Sequence, residues 1–159
     1  EADPAQIRMA VIAPEKLIIR PGGAVLSIAW RPGTGEPRKK DFSLDVLSGN
    51  ATAPQLMPHL KPGQNLYVLK LTDADASALL ALQREVRAAR ASGVEGQGDI
   101  GAGLRDACWT GRFPTKSEPM PLEAHLRSEA GGDWTTLIAG VDLKDILKSA
   151  GISQLPSCA

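Results

Sequence analysis

Few side chains in this sequence are suited to nucleophilic or metal chemistry. There are two cysteines, Cys108 and Cys158, and two histidines, His59 and His125. The thiols offer either a nucleophile or a crosslink. With His125 as base, Cys108 would form a Cys-His pair, which needs spatial rather than sequential proximity. A disulfide between Cys108 and Cys158 uses both sulfurs at once and is the favoured reading. It would close a loop of about 50 residues, worth roughly 4 kcal/mol in the chain-entropy relation. It would tie down the tail around Cys158, and it points to an oxidising compartment.

Met57, His59, Met120 and His125 are soft and borderline donors of the kind that suit copper. They lack an H-x-x-x-H, His-x-Met or blue-copper spacing, and zinc sites usually gather three or four donors. Residues 121–128 read as a short helix opened by Pro121. That helix would place His125 on a stripe with Leu122 and Leu126, as a core histidine. No metal and no cofactor is therefore expected. Asp45, Glu118, Glu123, Glu129, Asp133 and Asp142 are the carboxylates available for paired acid–base work. Asp142 is better placed as a helix cap. Aromatic residues make up only 4% of the chain, which leaves little stacking surface for a sugar. Trp30, Trp109 and Trp134 lie in or beside strand patterns and read as core.

Gly96-Gln97-Gly98-Asp99-Ile100-Gly101 matches G-x-G-x-x-G. A helix precedes it where a dinucleotide fold needs a strand, so a flexible linker is the expected role. Asn50-Ala51-Thr52 fits a glycosylation acceptor, a pattern without meaning in a bacterial chain. Two basic segments are candidates for binding a partner. Residues 31–40, RPGTGEPRKK, read as a surface loop carrying Arg31, Arg38, Lys39 and Lys40. Arg84, Arg87 and Arg90 lie toward the end of a helix, where the helix dipole by itself favours cations.

That helix, over about 73–92, is the strongest structural signal. Thr72 is its N-cap, with Asp75 three residues on. Ala76, Leu79, Leu80, Leu82, Val86 and Ala89 form its apolar side, and Gly93 ends it. Before it, residues 6–11, 16–20, 24–30, 41–47 and 65–71 read as short strands separated by Pro and Gly turns. After it, a glycine-rich stretch, a strand near Cys108 and a strand over 134–141 lead to a final helix over about 142–150. Asp142 caps that helix and Gly151 closes it. The expected fold is α+β, with an antiparallel β-sandwich-like body of broadly immunoglobulin-like spacing plus the long and short helices. The Cys…Trp…Cys spacing of immunoglobulin domains is absent. The 159 residues are expected to form a single domain: 1–71 mostly β, 72–92 helix, and 93–159 a mixed tail closed by the disulfide.

Eighteen basic residues balance eighteen acidic ones, which gives no electrostatic warrant for nucleic acid. No apolar run approaches a transmembrane length. The polar opening Glu1-Ala2-Asp3-Pro4 resembles a mature N-terminus left by signal-peptide removal. The expected function is that of an exported, non-enzymatic accessory or interaction protein of the bacterial envelope, periplasmic or extracellular. Its partner would be another envelope or secreted protein, in an assembly, secretion or inhibitor role. The alternatives are a small envelope hydrolase built on Cys108, His125, Glu123 and Asp133, or a copper or small-ligand module built on Met57, His59, Met120 and His125.

Overall fold

The computed structural model describes residues 2–33, 35–47 and 53–158. The acceptor pattern at Asn50 lies outside them. In chain order the strands and helices are β1 (Arg8–Pro14), β2 (Leu17–Ile19), β3 (Ala24–Pro32), β4 (Arg38–Val46), β5 (Gln64–Leu71), α1 (Asp73–Ala91), β6 (Gly96–Leu104), β7 (Ala107–Trp109), β8 (Pro121–Arg127), β9 (Thr135–Asp142) and α2 (Leu143–Ser149). Seven strands form one antiparallel sheet in the order β6-β3-β4-β5-β1-β8-β9, and β2 pairs with β7 in a separate ribbon. The sheet curls until Cα atoms of its two edges, β6 and β9, come within 8 Å. The α+β composition is as expected. The layers of an immunoglobulin-like sandwich are not seen, because one near-closed sheet wraps a core that a sandwich would hold between two.

Alternation along the strands makes that core. Met9 and Val11 of β1, Leu26 of β3, Phe42 and Leu44 of β4, and Leu69 of β5 turn to the concave side and are buried. Leu79 of α1 enters the same core at 2% exposure, and α2 adds Leu143 and Leu147. Leu80, expected on the buried side of α1, is instead exposed. The Thr72 hydroxyl accepts from the Asp75 N–H at 3.2 Å, as its N-cap position predicts. The Asp75 carboxylate reaches away from its own helix to the Ser43 N–H, at 2.5 Å, and fastens α1 to β4. On the convex side, Ala10 and Val68 lie under Ala53 and Leu56 of the 3₁₀ turn Pro54–His59, forming a second, smaller core.

Three local expectations give way to the sheet. The glycine stretch is β6, a nine-residue strand paired with β3 from Gly96–Pro32 to Leu104–Ala24. Glycine there is a requirement of close approach. A Cβ on Gly96 would lie 2.5 Å from the Arg31 carbonyl oxygen and 2.7 Å from the Trp30 ring. Residues 121–127 are the strand β8, with Leu122 and Ala124 buried beneath the sheet and His125 on the opposite face. The basic loop is shorter than expected, since Arg38, Lys39 and Lys40 are the first residues of β4.

Cys108 and Cys158 are joined, with Cα atoms 5.1 Å apart and a sequence separation of 50. The tail is held by backbone as well. The Trp109 N–H donates to the Pro156 carbonyl at 2.8 Å, and the Cys158 N–H donates to the Trp109 carbonyl at 3.0 Å. No helix among the described residues is long and apolar enough to cross a membrane.

Candidate metal centre

Strand register builds the site. β1 and β8 pair so that Ala10 lies opposite His125 and Ile12 opposite Glu123. β8 and β9 place Thr136 beside His125. Directly opposed residues share a face, and so do residues two apart on one strand. Glu123 and His125 therefore project together from the convex side. The 3₁₀ turn Pro54–His59 crosses this side, anchored by buried Leu56, and its last residue brings in His59.

Glu123 Oε2 lies 3.1 Å from His125 Nε2 and 3.5 Å from His59 Nδ1. The two imidazoles meet edge to face, with centroids 5.5 Å apart and planes at 84°. One donor atom from each of the three residues lies within 4.8 Å of the other two. Tetrahedral coordination with bonds of about 2.1 Å spaces its ligand atoms by about 3.4 Å. The two carboxylate–imidazole distances already lie close to that edge. His125 is 3% exposed, while the His59 side chain is about half exposed. The second ring nitrogen of His125, Nδ1, lies 3.2 Å from the Thr136 hydroxyl. Such an outer contact fixes the ring and leaves Nε2 facing the cluster.

The sheet thus joins two histidines that the sequence reading considered, and it supplies Glu123 as the third donor. The two methionines stand apart in environment: Met120 is 1% exposed in the main core, and Met57 is exposed on the outer turn. Cys108 is half of the disulfide and has no thiol to offer His125. Other carboxylates have structural roles. Asp45 accepts from the Gly22 N–H, and Asp142 caps α2 while also accepting from the Met120 N–H.

The two basic segments lie side by side. Arg38 pairs with Glu85 of α1 at 2.7 Å, and Arg31 and Arg90 line one surface depression. Arg90 stacks on Trp30, its guanidinium carbon 5.2 Å from the ring centroid. Lys40 Nζ lies over the ring of the buried Phe42, 5.6 Å from its centroid, and Lys39 is exposed. Arg84 and Arg87 lie on α1 in the same stretch as Glu85.

The fold and the cluster together describe a near-closed antiparallel β protein with a two-histidine, one-carboxylate site on its outer face. Comparison with family models, characterised proteins and solved structures finds no match.

Proposed function

We propose that the chain is an exported, non-catalytic module that binds one divalent transition-metal ion, zinc or copper(II), through His59, Glu123 and His125. The observation that carries this reading is the convergence of three donor atoms within 4.8 Å where the Pro54–His59 turn meets β8. Two imidazoles and a carboxylate form the borderline N/O donor set that these ions select, whereas thioether sulfur would have favoured copper(I). A bound ion would pin the turn to the sheet, so binding free energy would appear as folding stability. The Cys108–Cys158 disulfide favours an oxidising compartment and hence export. Calorimetric titration of the oxidised chain with Zn²⁺ and with Cu²⁺ tests the reading. One ion per chain is expected, and His59→Ala, which removes a half-exposed ring, abolishes uptake while the fold persists. No uptake by the native chain, or equal uptake by the variant, overturns it.

A second reading, docking of another envelope protein on the basic side, is favoured by the exposed side chains of Lys39 and Lys40 at the start of β4. Lys39→Glu with Lys40→Glu is then expected to weaken partner capture from the host's own extract without loss of stability. Unchanged capture removes that side from consideration.

A further inference from the structure

One row of the convex face gathers positive charge without a counter-charge. Arg8 of β1 lies directly opposite Lys70 of β5 and, on its other side, directly opposite Arg127 of β8. Opposed residues share a face, and each of the three is two residues from a member of the convex side: Arg8 from Ala10, Lys70 from Val68, Arg127 from His125. Three cations therefore stand abreast on neighbouring strands, about 5 Å from one to the next. Like charges in directly opposed positions destabilise a sheet. All three are partly buried, and among the described residues none has a carboxylate oxygen within 4.0 Å. Asp45 lies across from Lys70 but accepts from the Gly22 N–H at 3.0 Å, and Glu129 and Asp133, between β8 and β9, are exposed.

Two of the three cations are held in place. Arg8 Nη1 donates to the Ala5 and Ile7 carbonyls at 2.8 and 2.9 Å. The Arg127 guanidinium lies over the Trp134 ring, its carbon 4.7 Å from the centroid. Inside that stack Arg127 Nε and Trp134 Nε1 are buried without an acceptor. The Arg127 Nη groups and the Lys70 ammonium are not buried, and they too have no partner among the described residues. Guanidinium groups already fixed lose little freedom on meeting a ligand with several oxygens. Three cations with no paired carboxylate match a dianion, whereas a single carboxylate would leave most of the charge unmatched.

We propose that this row binds a phosphate group, whose oxygens accept from Arg8, Lys70 and Arg127. Free phosphate and a phosphate-bearing lipid headgroup offer the same chemistry, and two arms of one experiment separate them. Inorganic phosphate is titrated into the metal-free, oxidised chain at constant ionic strength. Sedimentation then compares vesicles of phosphatidic acid with vesicles of phosphatidylcholine. Saturation at one phosphate per chain is expected of a free-ion site, and binding confined to phosphatidic acid vesicles identifies a headgroup site. Lys70→Gln should weaken either by about tenfold, the magnitude of one charge-assisted hydrogen bond. The same variant should be at least as stable as the native chain, because it removes an opposed like charge. Arg127→Lys keeps the charge but loses the planar fork, and should also bind more weakly. His59→Ala should bind phosphate as the native chain does, which keeps failure here distinct from failure of the metal centre. Absence of binding in both arms, full binding by Lys70→Gln, or an effect that chloride reproduces at equal ionic strength would each overturn the proposal. Loss of phosphate binding in His59→Ala would overturn it as well.

Discussion

Breaking the tail crosslink is the perturbation whose size follows most directly from the structure. Cys158 is the half to change. It is only partly buried, whereas Cys108 is 3% exposed, and a serine there would bury a new hydroxyl. The bond closes a loop of sequence separation 50. The chain-entropy relation for such a loop gives about 14 cal/mol/K, or about 4 kcal/mol at 25 °C. The two backbone hydrogen bonds between Trp109 and the tail, and the burial of Leu155 at 6% exposure, remain available to the variant. They make it a fully folded but less stable protein. Urea denaturation of Cys158→Ser should therefore show a stability loss of about 4 kcal/mol. The m-value should rise, since the unlinked denatured chain is more expanded. For a domain of this size the melting temperature should fall by roughly 8–16 °C. Reduction of the native chain should reproduce the same loss. A loss below about 1 kcal/mol, in a variant with native spectra, would mean that the bond does not act by restricting the unfolded chain.

Further predictions concern local packing and charge. Gly96→Ala should cost about 1–3 kcal/mol, because its Cβ would collide with the Arg31 carbonyl and the Trp30 ring. Gly101→Ala, in the same strand with nothing within 4 Å of its Cβ, should be neutral or gain about 0.5 kcal/mol, and denaturation of the pair gives the contrast. Thr72→Ala should cost about 1 kcal/mol by removing the cap on the Asp75 N–H, measured the same way. The hydrogen bond from Arg112, with that guanidinium's charge, holds the Glu118 carboxyl below its ordinary value of 4.5. The stabilisation this pair gives is present above pH 4.5 and fades as pH falls through the lowered value. NMR titration of Arg112→Ala should find Glu118 shifted back upward.

Legibility in the sequence followed how local each signal was. Both helices could be read, since a capping side chain, a 3.6-residue stripe and a closing glycine all lie within one segment. Gly93 and Gly151 do take the left-handed conformation, at φ of 87° and 75°. The disulfide was legible from cysteine count and from the position of Cys158. β6 was not, because glycine has no strand preference of its own. Its place is dictated by Trp30, a residue far earlier in the chain, whose ring needs a neighbour without a side chain. β8 was misread because Leu122 and Leu126 are spaced alike for a helix face and for every second residue of a strand, and Pro121 tipped the reading to helix. The alternation of Glu123, His125 and Arg127 with Leu122, Ala124 and Leu126 was the signal that placed a carboxylate and an imidazole on one face. Nothing local points from there to His59, which arrives only through the fold of the Pro54–His59 turn.

X-ray absorption at the zinc edge of the chain loaded with one equivalent of Zn²⁺ shows whether His59, Glu123 and His125 together hold one ion. Two imidazole nitrogens and a carboxylate oxygen are expected at about 2.0–2.1 Å. One imidazole contribution should be lost in His59→Ala, and the carboxylate in Glu123→Gln. A spectrum of water oxygens alone, or one unchanged by both substitutions, would contradict it.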